Sequence, residues 1–180
     1  PESSEGWDAG VERTLLGGRL RLDLTAFGNR FDDLIVFDLG TFTFANVARA
    51  DSRGVELTAE AAPAEGWALT GSWTWNETED LATGEPLPRR PEHRGTLVVS
   101  GRLTERLRAT ATVLAVADRI DSDGTSMDDY ERLDLAAEFR LGRSLRPYAR
   151  IDNLLDEDYE EINGFTTPGR TVLVGLRAEL

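Results

Sequence analysis

Apolar and polar residues alternate along most of this chain, and that period of two constrains its fold more than any other feature. In "RLRLDLTAF", Leu20, Leu22, Leu24 and Ala26 fall on one side of an extended backbone, and Arg19, Arg21, Asp23 and Thr25 on the other. The same alternation places Val55, Leu57, Ala59 and Ala61 together, then Leu97, Val99, Gly101 and Leu103, then Leu133, Leu135, Ala137, Phe139 and Leu141, and finally Val172, Val174, Leu176, Ala178 and Leu180. No long window repeats apolar residues at the three-four spacing of a helix, so these segments are strands. About nine are expected, at roughly residues 8–16, 19–36, 42–62, 67–78, 94–103, 107–118, 130–141, 145–154 and 170–180.

The connections alternate in length. Short turns fall at Gly17–Gly18, Pro63–Gly66, Thr104–Glu105 and Gly142–Ser144. Longer polar connections are expected at Asp32–Thr43, Asn76–His93, Asp118–Asp129 and Asp156–Gly169. The expected fold is therefore all-β: an antiparallel up-and-down meander in which each strand pairs with its sequence neighbours, with short turns on one rim and long loops on the other. That is the layout of a partial transmembrane β-barrel. Lipid offers the backbone no hydrogen-bond partner, so strands cross it only within a closed barrel whose outer face is apolar. Alternation by itself serves a soluble lipocalin-like barrel or sandwich equally well, with the apolar face turned inward. The loop asymmetry, and strands of about ten residues or more, favour the membrane arrangement.

Composition removes other classes. The net charge of -13 opposes nucleic-acid binding by bulk electrostatics. There is no Cys and a single His93, so disulfides, Cys-based metal sites and multi-His sites are excluded. No nucleophile–base–acid set stands out, and neither an enzyme nor a cofactor is expected. No run of 18 apolar residues suggests a transmembrane helix. The opening "PESSEGWDAG" has no Met and no signal peptide, and reads as an arrival from upstream, so the chain is expected to be a piece or a mature C-terminal part of something longer.

Candidate contact residues lie in the loops. "DRIDSDG" offers Asp118, Asp121 and Asp123 as hard oxygen donors, which invites a calcium reading. Their spacing does not follow an EF-hand, so a solvated acidic loop is the preferred reading, as it is for "DEDYEE" at Asp156–Glu161, and no metal site is assigned. Trp67, Trp73 and Trp75 share one parity, and "FDDLIVF" and "FTFANV" carry aromatic residues near one rim; barrel wall is the preferred reading for all of them. Arg89, Arg90 and His93 form a basic lead-in to the next strand. Asp118, Asp121, Asp123, Tyr159 and Phe165 are the residues put forward as ligand contacts.

Six stretches in order, "PESSEGWDAGVE", "LTAFGNRFDDLIVF", "FANVARADSRGVELTAE", "TWNETEDLATGEPLPRRPEH", "RIDNLLDEDYEE" and "GFTTPGRTVLVGLRAEL", resemble the C-terminal half of the barrel of TonB-dependent outer-membrane receptors, most of all the vitamin B12 (cobalamin) and siderophore receptors. The resemblance implies that residues 1–180 are the C-terminal portion of such a barrel, with the plug domain, the TonB box and the N-terminal strands absent. It implies active transport of a scarce large nutrient, cobalamin or a ferric siderophore, in the outer membrane of a Gram-negative bacterium. The implied partners are outer-membrane lipid, the TonB complex through the missing N-terminal part, and the barrel-assembly machinery, which would read a last strand ending here in Leu180 where the family usually has Phe. It also implies that Asn153, Leu154 and Asp156 end the penultimate strand, that Tyr159 sits at the outer rim among girdle aromatics, and that Pro168 and Gly169 turn the chain back. A self-contained soluble barrel for a small ligand, or a passive porin-like barrel, are the alternatives.

Overall fold

The computed structural model describes residues 2–38 and 41–178. In chain order the elements are β1 (Ser3–Leu15), a 3-10 turn (Leu16–Gly18), β2 (Leu20–Asp38), β3 (Thr43–Ala61), β4 (Trp67–Asp80), β5 (His93–Arg102), β6 (Leu107–Ala117), β7 (Arg119–Ile120), β8 (Ser126–Met127), β9 (Tyr130–Phe139), β10 (Leu145–Asp152), β11 (Glu160–Ile162), β12 (Phe165–Thr166) and β13 (Thr171–Ala178). Nine of them form one antiparallel sheet in the order β1-β2-β3-β4-β5-β6-β9-β10-β13. β7 with β8, and β11 with β12, are two-residue to three-residue ladders inside the loops.

The long strands are the expected nine. Three details differ. β1 begins at Ser3 rather than near residue 8, because Ser3 to Trp7 pair with Asp32 to Gly28 on β2. The connection Asp32–Thr43 is not a long loop: β2 and β3 stay paired out to Asp38 opposite Thr43, and the β2–β3 hairpin rises past its neighbours. Pro168 and Gly169 do not turn the chain; the reversal is at Asn163–Gly164, where Gly164 takes a φ of 80°, and residues 167–169 lead without regular structure into β13. The C-terminal Leu180 lies outside the described residues, so the last strand is followed to Ala178.

Register converts the sequence pattern into two faces. Across the sheet, Val11 stands opposite Leu24, Leu24 opposite Leu57, Leu57 opposite Trp73, Leu97 opposite Val113, Ala111 opposite Leu135, Leu135 opposite Ile151, and Ile151 opposite Val172. One face is thus apolar from edge to edge. On β4 it runs from Trp67 to Trp75, about 26 Å along the strand, and a strand tilted as barrel strands are fits that to an apolar band about 25 Å tall. Trp67 lies towards the short turns, while Trp73 and Trp75 lie towards the long loops, where Trp73 stacks on His93 with ring centroids 5.8 Å apart. Above the band the same face becomes charged and ion-paired: Arg30 donates to Asp51 at 3.1 Å, and Arg53 to Glu77 at 2.9 Å. The apolar residues are not packed away. Leu24 is 46% exposed and Val174 73%.

The opposite face is polar, with Glu12, Arg21, Glu60, Ser72, Ser100, Thr110, Asp134 and Arg150. Apart from glycines, the buried residues described in this sheet, Ala50, Thr78, Val116 and Tyr130, all have the parity of this face, and all lie towards the long loops. The loops therefore fold over the polar face at one rim. Water-facing loops cover the face that bears charge, and the apolar face stays open. That is the reverse of a soluble barrel, which hides its apolar face.

Candidate functional site

The three loops 81–92, 118–129 and 153–170 leave the sheet at the same rim, and they are tied to one another. The first pair is joined through the backbone, with Arg89 N–H donating to the Ile120 carbonyl at 2.8 Å and Glu92 N–H to that of Asp118 at 2.9 Å. The hub is Asp121. Its carboxylate accepts from the Arg89 Nε, from the Ser122 N–H at 2.6 Å and from the Asn163 N–H at 2.6 Å. Its backbone closes the tip of its own loop: its N–H donates to the Thr125 carbonyl at 2.8 Å, and Gly124, at a φ of 81° with open space where a Cβ would stand, donates back to it.

Asp121 is 4% exposed, so the expectation of a solvated acidic loop fails at this residue. A carboxylate so buried persists ionised only if its oxygens are filled by donors. Burial pushes its pKa up, but the Arg89 guanidinium and the two backbone N–H groups outweigh that and hold it at about 2. The neighbouring Asp123 stays exposed; it accepts from the Thr125 N–H at 3.0 Å and from Asn163 Nδ2 at 2.9 Å, and these hydrogen bonds keep its pKa low. Asp118 belongs elsewhere. It takes a φ of 54°, its side chain is exposed, and it faces His93 Nε2 at 3.9 Å. The three aspartates do not converge, and among the described residues no three acidic or imidazole groups gather to hold a cation.

Beside the hub is an aromatic and cationic layer of which sequence reasoning singled out Tyr159 but missed Arg119, Tyr130 and Arg132. Arg119 is buried; it donates to the carbonyls of Asp128 at 3.1 Å and Glu160 at 2.6 Å, and its guanidinium carbon lies 4.9 Å from the Tyr130 ring centroid. Tyr130 stacks on Tyr159 with centroids 4.2 Å apart. The Tyr159 hydroxyl accepts from Arg132 at 3.1 Å, and Arg132 also donates to Asp134. Tyr159 thus faces the polar side rather than an outer aromatic girdle, because a half-buried phenol needs a hydrogen-bond partner and the polar-face Arg132 supplies one. Asn153, 2% exposed, follows the end of β10 at Asp152 and locks the next turn by accepting from the Glu157 N–H and donating to the Glu157 carbonyl, both at 2.9 Å. Phe165, on β12, is 69% exposed and makes no part of this cluster.

Two clefts open between the loops and share Arg119. One, of about 440 Å³, is lined by Asp158, Tyr159, Asn163 and Thr167; the other, of about 540 Å³, by Glu79, Arg90, Glu92 and Asp118. Their walls mix both charges with hydroxyl and aromatic groups, which suits binding of a polar or charged ligand.

An apolar band around an outer wall, a polar inner face and long loops folded over one mouth agree with what the chain matches. Residues 1–154 match the family model described as TonB dependent receptor-like, beta-barrel. The chain belongs to the TonB-dependent receptor β-barrel family. It is 29% identical over 170 residues to the vitamin B12 transporter BtuB of Vibrio vulnificus (strain YJ016), covering 89% of this chain and 26% of that protein. Among solved structures it is similar to the ferripyoverdine receptor of the outer membrane of Pseudomonas aeruginosa, at 18% identity and a TM-score of 0.81, over 99% of this chain and 27% of the receptor. It is similar also to the copper transporter OprC, at 20% identity and a TM-score of 0.79, over 99% of this chain and 32% of that protein. The chain spans about a quarter to a third of the length of these relatives. As a member of this family it is a protein of the Gram-negative outer membrane, and the apolar face is the one that meets lipid.

Proposed function

We propose that this chain is the C-terminal portion of the barrel of an active outer-membrane transporter for a scarce large nutrient, cobalamin or a ferric siderophore. The observation that carries the reading is the joining of the three long loops over the polar face, with two clefts at the mouth. A wall of this kind guides a ligand that binds at the rim and passes through the interior. In this reading the plug domain, the remaining strands and the TonB box lie outside residues 1–180, energy arrives from TonB through that missing part, and the barrel-assembly machinery engages the last strand. The clefts at Arg119 are the ligand-facing surface, with Tyr159 and Asp118 on their walls. Asp121 and Asp123 hold the loops in shape, and the exposed Phe165 adds an apolar contact at the rim. The similarity to a vitamin B12 transporter favours cobalamin among the two cargoes.

The test is uptake in the native bacterium. A strain lacking the gene is supplied with labelled cyanocobalamin or with ferric siderophores, with and without a functional tonB gene. Uptake restored by the full-length gene only when TonB is present is the expected result. Restoration without TonB makes the protein a passive pore, and no restoration with either cargo removes both from the proposal.

A further inference from the structure

Near the short turns, on the polar face, arginines stand opposite arginines. Arg146 and Arg177 are register partners on β10 and β13, and Arg102 and Arg108 are register partners on β5 and β6. Like charges directly across an antiparallel pair destabilise it unless a counter-charge lies between them. The first pair has one. Glu138 of β9 accepts from Arg177 at 3.0 Å and lies 3.9 Å from Arg146. The second pair has none in common. Arg102 reaches away to Glu65 in the β3–β4 turn at 3.2 Å, and among the described residues Arg108 has no hydrogen-bonded or ion-paired partner. Glu138 is the register partner of Arg108, yet it is already engaged on its other side.

Arg102 and Arg108 line one cleft of about 440 Å³ with Arg106, Arg140, Arg146, Glu105 and Glu138. Five positive groups against two negative ones leave a surplus of three positive charges in a small volume. We propose that this cleft is an oxyanion site, in which a carboxylate or phosphate group seats between Arg102 and Arg108 and does for that pair what Glu138 does for Arg146 and Arg177. Guanidinium forks suit such groups, because two parallel N–H donors match two oxygens. The anion comes from the watery interior, since these side chains lie on the face opposite the apolar band. It is supplied either by a free phosphate or carboxylate solute, or by an Asp or Glu of a polypeptide segment lying in the interior. The inference rests on register and charge and does not depend on the cargo proposed above.

The experiment measures thermal unfolding of the full-length, detergent-purified receptor that contains this chain, as wild type, Arg108→Gln and, as a turn control outside the cleft, Arg143→Gln. Each is melted in chloride and in inorganic phosphate at equal ionic strength. If a free anion fills the site, phosphate raises the melting temperature of wild type by several degrees and leaves Arg108→Gln unmoved. If a polypeptide carboxylate fills it, Arg108→Gln melts several degrees below wild type in chloride and phosphate shifts neither. Either result supports the site, and the pair separates its two sources. Arg108→Gln melting at or above wild type in chloride, with phosphate acting equally on both, overturns the proposal, because removing an unneutralised charge then only relieves repulsion. An effect of Arg143→Gln equal to that of Arg108→Gln overturns it too, as a general response to charge.

Discussion

Asn163 donates its backbone N–H to Asp121 at 2.6 Å across 42 residues of chain, and through that bond the last long loop is held to the one before it. Arg89 adds the third loop to the same carboxylate. The mouth of the barrel wall is therefore organised by one buried acid.

Replacing Asp121 by Ala should free all three loops together. It leaves Arg89 without its anion and the Ser122 and Asn163 backbone N–H groups without their acceptor, a loss of about 0.5–1.5 kcal/mol for each hydrogen bond, since these donors can turn to water. The measurement is hydrogen exchange of the full-length receptor. Faster exchange at Ser122 and Asn163, with the strands unchanged, is expected; exchange confined to the loop of Asp121 alone would contradict a shared hub.

The same carboxylate sets an acid limit. Its folded pKa of about 2 lies below its ordinary value of 3.8, so it stabilises the loops fully above about pH 4 and loses that contribution as pH falls towards 2. The shift corresponds to about 2 kcal/mol. Limited proteolysis with an acid-active protease should find the loops protected at pH 5 and cut at pH 2.5, whereas an Asp121→Asn variant should show little change between the two.

The faces predict opposite tolerances. Leu135→Arg places a charge on the lipid side and should cost about 2–4 kcal/mol near mid-depth when the full receptor folds into bilayers. Ala136→Arg, one residue on and facing the interior, should cost much less. Equal costs in a folding titration would reverse the assignment of faces.

Asn153→Ala removes both hydrogen bonds to Glu157, and each is worth about 0.5–1.5 kcal/mol, more because the Glu157 groups lose their partner in a sheltered place. Tyr159 should then lose its fixed stack on Tyr130. Tyrosine fluorescence quenching by a soluble quencher, rising in the variant, is the readout.

The wall was legible in the sequence and the mouth was not. Strand identity and face follow from neighbours two residues apart, so Leu133, Leu135 and Ala137 declare their side locally. Asp121 does not. Its burial depends on Arg89 and Asn163, 32 and 42 residues away, and in "DRIDSDG" it is indistinguishable from its exposed neighbours. Tyr159 misled for the same reason, since an aromatic residue near a rim suits a girdle until Arg132 is known to stand beside it. Asp32–Thr43 read as a loop because Asp32, Asp33 and Gly40 interrupt the pattern; cross-strand pairing continues past Asp32 and Asp33 to Asp38 opposite Thr43, with Asp33 at a φ of 59°.

β1 runs into a short turn and β13 comes out of a long loop, so the two edges of the nine-stranded sheet point the same way. Joined directly, they would meet as the one parallel pair in an otherwise antiparallel wall. An all-antiparallel cylinder has an even number of staves. A closed all-antiparallel wall that includes this sheet would therefore hold an odd number of strands besides these nine, entering and leaving at opposite mouths.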